Sequence, residues 1–172
     1  MHIAILADIH GNLTALYAVL ADLRQQKPDV IYHGGDLAYG GANPSEVIDC
    51  IVQEGWKGVL GNTDEMLWDA SARPALEASA PKLKPLFKVL FDLSGPATKQ
   101  MIGPSRLAWL RALPTELRHE NLALTHAGLA ICGALPWTRQ MMPNWRLLTS
   151  RWMLRSWFTA TFTGHSFARS ET

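Results

Sequence analysis

The chain has 172 residues, of which 48% are hydrophobic and 18% charged, and its formal net charge is +1. These values fit one globular domain with a hydrophobic core and exclude a disordered or low-complexity chain. No apolar stretch approaches the ~20 residues of a membrane span, and no secretory signal is visible. Two cysteines, Cys50 and Cys132, are too few for a disulfide framework. We therefore expect a protein of the reducing cytoplasm.

Short apolar runs alternate with amphipathic helices in the first third of the chain. Residues 2–7, 30–32 and 58–60 predict three strands. Between them, Asn12 and Asn43 are predicted N-caps of two helices. This order is typical of a parallel sheet covered by helices. The predicted apolar faces are Leu13, Leu16, Tyr17, Leu20 and Leu23 in the first helix and Val47, Ile48, Ile51 and Val52 in the second.

The rest of the chain changes character twice. Residues from about 66 to 113 have a helical pattern, in which Gly103-Pro104-Ser105 begins a further helix. Residues 117–125 then predict two strands around a turn at 119–121, and residues 159–163 predict a last strand. Neither repeats nor linkers are visible, so we expect a single domain over 1–172 with a mainly helical insert at about 66–113. The clearest helical stripe is Leu83, Leu86, Phe87, Leu90 and Phe91.

Polar residues directly follow the predicted strands, at the sheet edge where α/β proteins bind ligands. Asp8 and His10 come first, and if strand geometry persists, period two places both side chains on one side. A carboxylate and an imidazole so placed can bind one divalent ion. Alone, the pair is better explained by a strand-end aspartate beside a surface histidine.

Four further motifs follow later strands in order. They are Gly35-Asp36, Gly61-Asn62-Thr63-Asp64, His126 and His165. Each alone has a structural explanation, as a helix cap, an Asx-turn or a structural histidine. However, none of these structural explanations requires a polar residue of a particular type at each of five successive strand ends. The order found here is Asp with His, then Asp, Asn, His and His. The ordered set therefore favours a metal centre.

The complete motif string resembles the calcineurin-like metallophosphoesterases. It reads Asp8-x-His10, Gly35-Asp36-x4-Gly41, Gly61-Asn62-x-Asp64, His126-x-Gly128 and Gly164-His165. The segment 8–16 is most similar to the small bacterial and archaeal phosphodiesterases of that superfamily. The resemblance implies a four-layer α/β/β/α sandwich with two metal ions at one sheet edge. Of the remaining histidines, His33 is expected to bond locally at a strand end and His119 to be solvated.

The resemblance also implies residue roles. Metal ligands would be Asp8, His10, Asp36, Asn62, His126 and His165, with Asp36 shared by both ions. Catalytic residues would be Asn62 and Asp64, and substrate-binding residues Asn12, Asn62 and Thr63. Mixed nitrogen and oxygen ligands favour Mn²⁺, with Fe, Zn, Co or Ni as alternatives. The implied activity is hydrolysis of a small phosphorylated substrate, as a phosphodiesterase or phosphatase, by a hydroxide that the two metals activate.

Three features depart from the family pattern. Thr63 stands where many members have a histidine that protonates the leaving group, and Phe167 stands where the family places a ligand to the first metal. The sequence also ends seven residues after His165, before the strands that usually complete the second sheet. These departures leave open a second interpretation: a diverged, catalytically weak protein that binds metal and phosphate in regulation or as a scaffold.

The stretch 121–170 lacks acidic residues and holds five arginines, together with four of the seven tryptophans. A helix that packs its aromatic residues on the core explains most of this composition. The part between 139 and 155 is also a candidate for contact with nucleic acid or an anionic surface. An exposed sheet edge near the end of the sequence would further allow a homo-oligomer.

Overall fold

The computed structural model describes residues 1–120 and 122–126 and the backbone of residues 158–162. Its first sheet is parallel and contains β1 (Ile3–Leu6), β2 (Val30–His33) and β3 (Lys57–Gly58) in that order. Helix α1 (Leu13–Gln26) connects the first two strands, and α2 (Pro44–Gln53) lies between the second and third. The predicted parallel sheet is thus confirmed. Strand β3 is shorter than expected, because Leu60 leaves the sheet and its amide donates to Pro114 O (2.8 Å).

The predicted helical region is confirmed as a series of short helices. They are α3 (Asn62–Glu65), α4 (Arg73–Ser79), a 3-10 turn (Pro81–Leu83), α5 (Lys84–Val89), a π-helical turn (Leu90–Ser94) and α6 (Gly95–Arg111). Helix α6 is interrupted at Gly103, whose φ of 72° is not helical, so a new helical segment begins at the predicted position. Within the described ranges, none of the helices is long and apolar enough to cross a membrane.

The second sheet is antiparallel. Strands β4 (Glu116–His119) and β5 (Leu122–His126) form the predicted hairpin, with Glu120 in the left-handed region at its turn (φ 50°). Strand β6 (Phe158–Phe162) pairs with β5 on its other side and lies within one residue of the predicted last strand.

Two apolar clusters arrange these elements in layers. The first lies between the helices and the parallel sheet, and the second lies between the two sheets. Period two along β2 explains the division, because Ile31 packs against the first cluster while Tyr32 belongs to the second. The described residues therefore form helix, sheet and sheet layers of an α/β fold. The predicted fourth layer falls on residues outside them. The buried members include Leu16, Leu20, Val47, Ile48, Ile51 and Leu110 in the first cluster and Tyr32, Val59, Leu122 and Leu124 in the second.

Several residues of the predicted apolar faces are exposed. Tyr17 in α1 and Val52 in α2 are 58% and 50% exposed, because each helix contacts the sheet through a narrower stripe than the sequence indicates. The Asn12 side chain caps α1 as predicted and accepts from the Ala15 amide (3.0 Å). Asn43 forms no such bond at the start of α2. In the insert, Phe87 is buried but Leu83 and Leu86 are not.

Two histidines differ from their expected surroundings. His33 is completely buried beside Trp109, with ring centroids 6.0 Å apart, and neither ring nitrogen finds a hydrogen-bond partner among the described residues. The expected local hydrogen bond is therefore not formed there. His119, expected in solvent, is partly buried in β4 and contacts the edge of Tyr32. Cys50 is partly buried against the helix cluster, while Cys132 lies outside the described residues.

The burial of His33 predicts an acid-sensitive fold. Burial lowers the pKa of His33 from 6.5 to about 4. Between these pH values the unfolded chain therefore binds a proton at His33 and the folded chain does not. Above pH 6.5 the neutral, buried imidazole therefore contributes about 3 kcal/mol to the free energy of unfolding. This contribution is lost as the pH falls to about 4. His33→Leu should remove that part of the pH dependence in denaturant titrations. An unchanged slope between pH 6.5 and 4 would contradict this prediction.

Candidate metal centre

Asp8, His10 and Asp36 meet at the carboxyl edge of the parallel sheet. His10 Nε2 lies 3.9 Å from Asp8 Oδ1 and 3.7 Å from Asp36 Oδ2. One ligand atom from each residue lies within 4.8 Å of the other two, a separation that one cation can span. The three residues that the sequence placed together are therefore together in space. Asp36 is almost fully buried, while His10 and Asp8 are partly exposed.

The backbone that brings these side chains together is not a strand. Asp8, His10 and Asp36 all have positive φ, at 56°, 49° and 55°. The sequence therefore predicted correctly that Asp8 and His10 are close, but the alternation of side chains along a strand is not the cause. Non-glycine residues in this region are uncommon, cost free energy and cluster at functional sites. The loops after β1 and β2 hold the conformation by pairing with each other, through Asp8 N to Gly35 O (3.1 Å), His10 N to Asp36 O (2.9 Å) and Gly11 N to Leu37 O (2.8 Å).

The loop after β3 packs tightly against Asp36. The Thr63 amide donates to Asp36 Oδ1 (2.9 Å), which leaves Oδ2 directed toward the two histidines. Gly61 makes this approach possible, because a Cβ there would lie 2.0 Å from the Asp36 amide nitrogen and 2.2 Å from its Oδ1. The glycine of the Gly-Asn motif is therefore a steric requirement of the site.

His126 completes a second set of donors around Asp36. Strand β5 alternates buried and partly buried residues, so His126 follows Leu122 and Leu124 onto the face that meets the first sheet. Its Nδ1 donates to Gly34 O (2.6 Å), and its Nε2 lies 2.8 Å from Asn62 Oδ1 and 3.5 Å from Asp36 Oδ2. In the neutral ring with Nδ1 protonated, three acceptors face one another, an arrangement that a proton or a cation between them would satisfy.

The electrostatics of the cluster also match a cation site. Burial and the charge of Asp36 raise the pKa of Asp8. Burial opposes the charged forms of Asp36 and His126, but their mutual attraction outweighs it, so the pKa of Asp36 is lowered and that of His126 is raised. Negative charge at Asp36 thus favours positive charge on the imidazole, at the place where a metal ion would supply it.

Asp64 differs in position from the other candidate residues. Its carboxylate is completely buried and accepts from the amides of Leu37 (2.9 Å) and Ala38 (3.0 Å). Burial, together with the charge of Asp36, raises the pKa of Asp64 to about 6. Since the carboxylate faces the backbone of the Asp36 loop, this geometry favours a positioning role over a catalytic one.

The other predicted site residues are divided between the centre and its surroundings. Asn62 and Thr63 lie at the centre and also line a cavity of about 460 Å³ beneath the helical insert. Asn12 lies one turn away from His10, with its side chain engaged in capping α1. His165 and Phe167 lie outside the described residues, as does the 139–155 arginine and tryptophan tract.

Tyr39 is a site residue that the sequence did not reveal. Its carbonyl oxygen accepts from His10 Nδ1 (2.9 Å), which leaves His10 Nε2 free for a metal. Its hydroxyl donates to Leu90 O (2.5 Å) in the π-helical turn of the insert. A backbone carbonyl carries no signature in the sequence, so only its place in the loop after Asp36 hinted at this role.

Comparison with known proteins agrees with this geometry. The sequence profile of the family described as calcineurin-like phosphoesterase matches residues 1–141. The chain belongs to this family. Among solved structures, a metallophosphoesterase from Sphaerobacter thermophilus superimposes with a TM-score of 0.51 at 26% identity, over 70% of this chain and 44% of that one.

Two archaeal proteins are also similar to parts of this phosphoesterase-family chain. Uncharacterized protein MJ0912 of Methanocaldococcus jannaschii is 42% identical over 62 residues, which are 36% of this chain and 26% of that protein. Hypothetical protein PH1004 from Pyrococcus horikoshii OT3 shares the fold, with a TM-score of 0.50 at 22% identity over 70% of this chain and 50% of that one. The chain therefore spans half or less of the length of these relatives.

The contact between Gly61 and Asp36 gives a direct test of how the site is assembled. Gly61→Ala should displace the Asp36 carboxylate, since its Cβ would overlap the Asp36 backbone at 2.0 Å. We expect a loss of metal affinity of at least about tenfold and a destabilisation of about 2 kcal/mol or more. Gly95→Ala is the matched control, because its nearest neighbour, Leu90 O, is 3.3 Å away. Calorimetric Mn²⁺ titration and denaturant unfolding measure both effects, and equal behaviour of the two variants would contradict the prediction.

Proposed function

We propose that this chain is a metal-dependent phosphoester hydrolase with a dinuclear centre, acting as a phosphodiesterase or phosphatase on a small phosphorylated substrate. The observation that carries the proposal is the position of Asp36 between two donor sets. Its Oδ2 lies 3.7 Å from Nε2 of His10, the neighbour of Asp8, and 3.5 Å from Nε2 of His126, the neighbour of Asn62. A carboxylate so placed is suited to hold two cations at once.

The donor set fits divalent transition metals. Asp8, His10 and Asp36 would hold the first ion, and Asp36, Asn62, His126 and His165 the second. Imidazole nitrogens mixed with carboxylate and amide oxygens favour Mn²⁺, or Fe, Zn, Co or Ni, over Mg²⁺, which prefers oxygen alone. When bound, two such ions supply the Lewis acidity and the activated water that phosphoester hydrolysis requires.

Other residues of the chain would bind the phosphoryl group or orient the metal ligands. Asn62 and Thr63 lie beside Asp36 and can donate hydrogen bonds to phosphoryl oxygens through the amide and hydroxyl. Tyr39 orients His10 through its carbonyl oxygen, and Asp64 holds the loop that carries Asp36. Asn12 contributes by fixing the start of α1 next to the site.

A phosphoester panel assayed with Mn²⁺, Zn²⁺, Co²⁺ and Mg²⁺ tests this function. Asp36→Asn keeps the size of the side chain but removes the charge shared by both ions, so activity should fall by about 100-fold or more. Asp22→Asn is the control, since this aspartate is exposed on α1. Activity should also disappear after chelation and return with metal.

Three results would contradict metal-dependent hydrolysis. Full activity after exhaustive chelation, or an Asp36→Asn variant equal to the native chain, would refute metal dependence. Metal binding without turnover of any ester would instead support the diverged regulatory or scaffold protein as the function.

The two metal ions should bind with different affinities. Phe167 cannot ligate, so the first ion would have three protein ligands while the second would have four, and its affinity should be lower by about tenfold or more. Calorimetric titration with Mn²⁺ should then resolve one tight and one weak site. Phe167→His should tighten the weaker one. Two equally tight sites in the native chain are incompatible with this assignment.

Thr63 should make the rate sensitive to the leaving group. A threonine hydroxyl cannot supply a proton at neutral pH, and general acid catalysis is typically worth 10²–10⁴-fold. Activated aryl esters should therefore react far faster than simple alkyl esters of the same charge. Thr63→His should raise the alkyl rate, whereas Thr63→Ser should not. Comparable aryl and alkyl rates in the native chain would contradict this role of Thr63.

A further inference from the structure

A cavity of about 460 Å³ extends from the metal centre under the helical insert. Asn62 and Thr63 line one end of it, where the Thr63 amide already contacts Asp36 (2.9 Å). The Thr63 hydroxyl is buried without a hydrogen-bond partner among the described residues. The volume lies within the usual range for small-molecule sites, roughly 300–1,000 Å³. A molecule in this cavity would therefore lie beside the phosphoryl group that the proposed metal centre holds.

Most of the remaining lining of the cavity is apolar. It is formed by side chains of the insert helices and by the loop that leads into them, chiefly Met66, Leu76, Leu83, Phe87 and Leu90. Leu83 is 47% exposed although it lines the cavity. Its apolar surface is thus available to a ligand, and burial of such surface is favourable by about 25 cal/mol per Å².

Two acidic residues also line the cavity. Glu65 and Asp69 stand four positions apart, and burial and the charge of Asp69 raise the pKa of Glu65. Like charges so spaced already repel each other. A second phosphate or a carboxylate of the substrate would add to this repulsion, whereas an uncharged group would not.

Tyr39 fixes the cavity relative to the metal centre. Its side chain lines the cavity and bonds the insert at Leu90 O, while its carbonyl oxygen bonds His10. The apolar wall and the candidate metal ligands are therefore held together through one buried residue, so the distance between phosphoryl group and wall is defined by the fold.

We propose that this cavity binds an uncharged apolar group of the substrate, such as an aryl or branched alkyl ester group, while the phosphoryl group lies at the metal centre. The substrate class is accordingly a phosphoester with one hydrophobic substituent, and a chain of several phosphates does not fit. This inference rests on the proposed function for the position of the phosphoryl group.

Three phosphonates that share one anionic head test the cavity independently of turnover. Their dissociation constants for the Mn²⁺-loaded chain are measured by calorimetry. Phenylphosphonate should bind at least about tenfold more tightly than methylphosphonate. The compound 2-carboxyethylphosphonate should bind no more tightly than methylphosphonate. Leu83→Gln should reduce the phenyl-to-methyl ratio by about threefold or more.

Leu93→Gln is the matched control, because Leu93 belongs to the same insert, is 63% exposed and does not line the cavity. Using a ratio within each protein cancels any loss of folded protein. A phenyl-to-methyl ratio near one, equal effects of the two variants, tighter binding of the carboxyethyl compound, or no binding of any phosphonate would overturn the inference. A tenfold ratio without hydrolysis of any ester would support the cavity and overturn only the proposed function.

Discussion

The reciprocal bonding of two buried carboxylates across neighbouring loops is the constraint on which the site depends. Asp64, after β3, accepts from the amides of Leu37 and Ala38, which follow Asp36. Asp36, after β2, accepts from the amide of Thr63, which precedes Asp64. Each loop therefore holds the other, and hydrogen bonds to charged groups of this kind are worth about 1.5–3 kcal/mol each. That stabilisation offsets the strained backbone of Asp36 (φ 55°) and keeps Asp36 Oδ2 available to the histidines.

The same arrangement concentrates negative charge that the chain alone neutralises poorly. Asp8 and Asp64 both have raised pKa values because they are buried close to Asp36. Attraction to Asp36 raises the pKa of His126 despite its complete burial and so favours a proton there. A divalent cation between these groups would relieve the repulsion, and its binding should compete with that proton. Metal affinity and the ionisation of the centre are thus one linked property of the fold.

The sequence indicated which of the described candidate residues lie close together, because β1 and β2 are short, apolar and followed at once by polar residues, and His126 ends β5. It predicted the parallel sheet, the hairpin and the interruption at Gly103 for the same reason, since each has a local signal. Tertiary contacts were beyond it. Nothing local distinguishes Asp64, which accepts from backbone amides 26 and 27 residues away, from a catalytic residue. Tyr39 acts on His10 through a carbonyl oxygen, and the exposure of Leu83 depends on the packing of the insert. The match of residues 1–141 to the phosphoesterase family confirms the resemblance that the motifs indicated.

The proposed dinuclear centre requires that two metal ions share Asp36. Crystals of the chain loaded with Mn²⁺ and measured at the manganese absorption edge test this requirement. We expect two anomalous peaks about 4 Å apart, one beside Asp8 and His10 and one beside Asn62 and His126, with Asp36 between them. Peaks elsewhere in the fold, or none within bonding distance of Asp36 in a crystal that contains stoichiometric manganese, would contradict it.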